Sequence, residues 1–229
     1  MPRSRFPRLN PVSMNRRLLV FLASLLAGGI GRAEDREATN SAAAKGPAAD
    51  LGYEVKRTGF LIATRNDLPK VFAPIEGAKK AVLAPAFEWE YGVRLFSKEK
   101  WLAQKYDWAT YQEEALRHAD SLVEALKPEF RRDARGVIDY ALVLSDDPFL
   151  SSILFSRKLL PYFEAKLGKR LRVAVPDRTT LYVFPADGGK LEGYGPALVE
   201  KFEEARYPVT LEVFLVDETG VRVIGELER

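Results

Sequence analysis

The sequence predicts an α+β domain: a mostly antiparallel, mixed sheet with helices packed on it, in the C-terminal order β-α-β-β-α-β-β. The first observation behind this is LRVAVPDRTTLYVFP, Leu171 to Pro185. Leu171, Val173 and Val175 alternate with Arg172 and Ala174, Pro-Asp-Arg-Thr-Thr interrupts, and Leu181, Tyr182, Val183 and Phe184 resume, which is a β-hairpin pattern. The second is a like pattern in Val209 to Val216 and Val221 to Ile224, around Asp217-Glu218-Thr219-Gly220. The third is that stretches of helical character, not further strands, separate these hairpins from each other and from the apolar run VIDYALVL, Val137 to Leu144.

The chain has 229 residues, 47% of them hydrophobic and 11% aromatic, enough for a real core. Its formal net charge is +3, but six basic residues and no acidic one precede Glu34. Without them the remainder holds 29 basic against 32 acidic residues, so it is mildly acidic and a poor match for nucleic acid. The same N-terminus has the three parts of a secretory signal: a basic start, the apolar run Leu18 to Ile30, and small residues Gly31 and Ala33 before an acidic stretch. Residues 1–33 are therefore expected to be a signal peptide cleaved before Glu34, leaving an extracytoplasmic protein, periplasmic or secreted. The apolar run falls short of the roughly 20 residues of a bilayer span, so no stable membrane span is expected after cleavage, with an uncleaved anchor as the alternative. Arg16-Arg17 leaves Sec and twin-arginine export both open, and Met14 is a second candidate start. The chain has no cysteine, which removes thiol nucleophiles, disulfides, cysteine-ligated metals and a lipidated cysteine.

Residues 34–52, small and polar without apolar periodicity, read as a flexible linker, and residues 53–229 as a single α+β domain. The domain opens with a strand in Tyr53 to Thr64 and a turn at Arg65-Asn66-Asp67-Leu68-Pro69. Phe87 to Phe96 reads as one strand, with Phe87, Trp89, Tyr91, Val93 and Leu95 on its buried face. Ser97 is placed to cap a short helix through Leu102, and Asp107 a long one from Trp108 to Leu126 whose stripe is Trp108, Tyr111, Ala115, Ala119, Leu122 and Leu126. His118, the only histidine, sits at the edge of that stripe, which favours a boundary residue over a catalytic base, and one histidine makes no conventional zinc site.

Val137 to Leu144 is expected to be a central strand covered on both sides, since only Asp139 breaks its apolar run. Asp146-Asp147-Pro148 reads as a helix start with Asp147 as N-cap, in preference to a carboxylate pair for a hard cation. The helix that follows, Phe149 to Leu167, is apolar nearly all round, with a break or kink expected at Pro161 and a stop at Gly168. Asp187-Gly188-Gly189 and Gly193-Tyr194-Gly195 form a glycine-rich loop before a helix, Pro196 to Arg206, without Walker or dinucleotide-binding spacing. In the last hairpin Val209, Leu211, Val213 and Leu215 form the buried face and Thr210 and Glu212 the wet one.

Tyr91-Gly92-Val93-Arg94-Leu95 before the capped helix with Trp108, the Asp-rich turn before Phe149 to Leu160, the strand end Val173-Ala174-Val175-Pro176, and Tyr207-Pro208-Val209 to Val223 together resemble the YtpQ-like family of bacterial proteins, over most of the chain from about Phe87. The resemblance implies no catalytic set, because that family has no established activity to carry over. The chain departs from it in its export signal, since those proteins look cytoplasmic.

No cofactor or metal site is expected from these motifs. Asp177, Arg178 and Tyr182, around the first hairpin, are the candidate binding surface. The functional expectation is an exported, non-enzymatic binding or assembly domain whose partner is a protein or envelope component. The alternative is a carboxylate hydrolase of the cell envelope, pairing Asp146 or Asp147 with Asp177 across a cleft.

Overall fold

The computed structural model describes residues 54–64 and 71–228, which belong to one compact unit, Ala48–Arg229. The readings placed on 1–33 and 34–52, and the turn at 65–69, lie outside the described residues. The α+β class holds, with the strands divided between two antiparallel sheets.

The first sheet is built around β3 (Ala81–Trp89), flanked on one side by β1 (Arg57–Thr64) and on the other by the short β2 (Ala73–Pro74) and β4 (Gly92–Leu95). The expected single strand from Phe87 to Phe96 is thus a hairpin. It turns at Glu90-Tyr91, Gly92 takes a φ of +128° that a side chain would resist, and Tyr91 is 75% exposed. Pro85 lies inside β3, where a missing N–H would ordinarily break a ladder. Its carbonyl accepts the N–H of Phe96, so its nitrogen points to the same side, into the gap between the end of the β2 pairing and the start of the β4 pairing.

Two capped helices follow. Ser97 accepts the Lys100 N–H at the start of α1 (Lys98–Ala103), and Asp107 accepts the Thr110 N–H at the start of α2 (Trp108–Glu124). Tyr111 on α2 reaches into the first sheet: its hydroxyl accepts the Ala86 N–H at 3.2 Å and lies 2.7 and 2.8 Å from the Gly59 and Ala86 carbonyls. Burial pushes that hydroxyl far up from its ordinary value, so it stays protonated as a donor.

The second sheet has the order β10-β9-β7-β8-β6-β5, from β5 (Glu129–Arg132), β6 (Ile138–Leu144), β7 (Leu171–Asp177), β8 (Thr180–Pro185), β9 (Glu212–Asp217) and β10 (Gly220–Glu226). β6 lies between β8 and β5, with Ala141 and Val143 buried on its inner face. Its other face is only half covered, which corrects the expectation of a strand buried on both sides.

Between β6 and β7 the expected long helix is two pieces. A 3₁₀ stretch, Leu150–Phe155, ends at Ser156, and α3 (Leu159–Leu167) begins after it. The break is set by Asp120 of α2, which accepts from the Ser156 hydroxyl and the Arg157 N–H. Pro161 falls in the first turn of α3, where its missing N–H would have had no helical partner, so it breaks nothing. Gly168 ends the helix at a φ of +87°.

A second 3₁₀ stretch, Leu191–Tyr194, leads into α4 (Gly195–Glu204). The inner face of the second sheet, the first sheet, α2, α3 and the first 3₁₀ stretch share one apolar core that includes Phe60, Phe87, Tyr111, Ile153, Phe163, Val183 and Phe214. On the outer face, Leu198 of α4 and Leu191 pack with Ala174, Phe184 and Val213. β9 is therefore covered on both faces, Phe214 and Val216 inward and Val213 toward α4. Thr210 and Glu212, expected to be wet, are buried.

Candidate functional site

The first hairpin places Asp177, Arg178 and Tyr182 as half-buried residues, where the sequence reading had them exposed. Asp177 Oδ1 accepts the N–H and the hydroxyl of Thr179 at 2.6 and 2.8 Å, closing the turn two residues on as its residue type implies. Arg178 turns away toward the segment before β9: its N–H donates to the Tyr207 carbonyl at 3.2 Å and its guanidinium lies 4.9 Å from the Tyr207 ring centre. Burial holds that guanidinium below its ordinary value.

Tyr182 points the other way, onto the outer face of the second sheet. Leu181 and Val183 face the core, so Tyr182 and Phe184 face outward, as do Tyr140 and Leu142 on β6, the latter directly opposite Tyr182. The Tyr140 ring centre lies 5.8 Å from Tyr182, 5.3 Å from Phe184 and 4.9 Å from Tyr194. Burial, with Tyr140 and Asp177 nearby, raises the Tyr182 hydroxyl. The face thus has an inner part sealed by α4 and an outer strip, Tyr140, Leu142 and Tyr182, left half exposed. Sequence reading missed Tyr140 and Leu142, although their alternation with the smaller, buried Ala141 and Val143 marks them as the second face of β6.

A polar rim adjoins this strip. The Tyr194 hydroxyl lies 3.1 Å from Asp139 Oδ2, and Lys190 bridges Asp139 and Asp133 at 3.2 Å each. The Val137 N–H, with Lys190 and Arg135, holds the Asp133 carboxyl down at about 2. Asp139 and Lys190 thus fix the 3₁₀ stretch on the sheet.

A second cluster of charged groups gathers at the start of β1. Arg57 donates through Nε to Glu88, its cross-strand neighbour, and through Nη1 to Asp147 Oδ2. The same Nη1 lies 3.2 Å from Nε2 of His118. Asp147 Oδ1 accepts the Phe149 N–H at 2.8 Å, closing a turn two residues on, but the expected helix cap does not form: the stretch that follows is 3₁₀, and it starts from Phe149 without a side-chain cap. The buried Phe149 ring meets His118 edge-on at 5.6 Å and sits against Gly59, where any Cβ would come within 2.6 Å of it. Both Asp147 oxygens are thereby engaged, and Asp177 is occupied in its own turn.

A hollow of about 260 Å³ is lined by Leu122, Ala125, Leu126, Leu144 and Leu150, with Lys127 and Ser145. A more open one lies beside Lys80, Glu226, Leu227 and Glu228, and neither is lined by Asp146, Asp147 or Asp177. Among the described residues no group of three His, Asp or Glu is placed to hold a metal ion, and no helix is long and apolar enough to cross a membrane. No protein-family model, curated protein or solved structure matches the chain.

Proposed function

We propose that the chain is an exported, non-enzymatic binding or assembly domain of the cell envelope, and that it holds a protein partner on the outer strip of the second sheet. The observation that carries this is the division of that face: α4 seals its inner part, whereas Tyr140, Leu142 and Tyr182 stay half exposed beside it. Tyrosine suits such a contact because it offers a large apolar face and a hydroxyl with little conformational entropy to lose. Asp177, at the end of β8's partner strand, supplies a charged edge to the strip.

The mature protein, expected to begin at Glu34, is the bait that tests the contact. It should capture a distinct protein from a solubilised envelope fraction, and the double variant Leu142→Gln/Tyr182→Gln should lose that protein while melting within a few degrees of the parent. Equal capture by both proteins removes the strip from the contact.

Export has its own readout. Intact mass of the protein recovered outside the cytoplasm should correspond to a chain starting at Glu34. A species that keeps Leu18 to Ile30 and sediments with membranes makes the segment an anchor instead.

A further inference from the structure

The cluster around Arg57 takes no part in the proposed contact, yet it joins four elements: β1 through Arg57, β3 through Glu88, α2 through His118, and the connection after β6 through Asp147. A guanidinium only donates, so Nε2 of His118 accepts from Arg57, and the ring is neutral with its proton on Nδ1. That Nδ1 is buried without a hydrogen-bond partner.

We propose that His118 is the acid-sensitive member of a latch: neutral, it receives Arg57 and leaves the guanidinium aimed at Asp147, and protonated, it loosens the hold of β1 on the Asp147–Phe149 connection. The geometry gives the reason. A protonated ring has a donor at both nitrogens, so Nε2–H would face the Arg57 donor at 3.2 Å, and two positive charges would share a half-buried site. The ring can relieve this only by turning to Asp147 or Glu88, the carboxylates that now hold Arg57. Either move disturbs the packing of Phe149, which touches both the His118 ring and the guanidinium.

The charged groups that face the ring from neighbouring elements are Arg57, Glu88 and Asp147, and on its own helix Glu114 stands one turn earlier and Arg117 beside it, both exposed. Burial is the largest influence and depresses the imidazole below its ordinary 6.5; Arg57 adds to this, against Asp147 and Glu88, which raise it. The unfolded chain therefore takes up the proton at a higher pH than the folded one. The stabilising contribution is complete above 6.5 and is lost as pH falls through the folded value.

Because His118 is the only histidine, its imidazole resonance can be followed by NMR without assignment ambiguity. A titration between about pH 8 and 5 should show the Nδ1–H tautomer at the upper end and a midpoint below 6.5, and Arg57→Gln should move the midpoint upward. Over the same range the Phe149 amide should lose hydrogen-exchange protection beyond the intrinsic pH effect. His118→Gln, which keeps an acceptor for Arg57 but cannot titrate, should hold that protection constant. A midpoint at or above 6.5, an Nε2–H tautomer, or the same loss of protection in His118→Gln overturns the latch. Should Arg57→Gln not fold, the wild-type tautomer and the His118→Gln exchange profile still decide.

Discussion

Glu212→Ala is expected to destabilise the protein by about 3 kcal/mol or more, a large part of a typical total of about 5–15 kcal/mol. Glu212 is 2% exposed, and its carboxylate accepts three backbone N–H groups: Lys79 at 2.6 Å and Lys80 at 3.0 Å on Oε1, and Ala81 at 2.7 Å on Oε2. These donors open β3 of the first sheet, whereas Glu212 belongs to β9 of the second, so one side chain pins the two sheets together. Alanine leaves a buried donor at Ala81 with nothing to bond, and the Lys79 and Lys80 amides are left to water. Glutamine keeps one acceptor oxygen but turns an amide N–H₂ toward the remaining donor, so it should fall between wild type and alanine. Urea unfolding midpoints at an unchanged m value measure the series. A Glu212→Ala midpoint within about 0.5 kcal/mol of wild type would mean that the carboxylate pins nothing.

That residue also marks where the sequence stops being legible. Alternation along Val209 to Leu215 assigned Glu212 to water, because period two distinguishes two faces but does not say that both are covered: Glu212 shares its face with Phe214 and Val216, turned inward to the first sheet, while α4 covers the face of Val213. Its partners lie 131 to 133 positions away, and no local pattern announces them. The same holds for Arg57, bonded to Asp147 across 90 positions and to His118 across 61. What was legible is local chemistry. The Ser97 and Asp107 caps, the Asp177 turn, the Gly168 stop and the two hairpins each follow from the residue at one position and its near neighbours. Of β3 only Phe87 to Trp89 was read as strand; Pro85 lies within the part not assigned, and only the gap between β2 and β4 makes its missing N–H harmless there. Of the candidate surface, Tyr182 lies on the second face of a hairpin strand, half-buried beside Tyr140 and Leu142. Arg178 packs instead on Tyr207, from a segment 29 positions on that no local pattern joins to the hairpin.

Val143→Asp should leave the protein unable to fold. Val143 is 1% exposed on the inner face of β6, opposite Leu181 of β8 and in the same core as Ala141, Leu171 and Val183. A carboxylate there has no donor to meet it, and burying such a charge costs several kcal/mol, enough to consume a typical stability. Its neighbour offers the control. Leu144 is 59% exposed at the end of the same strand, so Leu144→Asp puts the same charge one residue along and into water. That variant should keep its stability within about 0.5 kcal/mol. Near-ultraviolet circular dichroism and thermal melts of the two variants separate them, because aromatic packing in the shared core gives the folded signal. Equal melts would mean that β6 does not present one face to the core and one to solvent, and the outer strip of Tyr140 and Leu142 would then lose its footing as a contact surface.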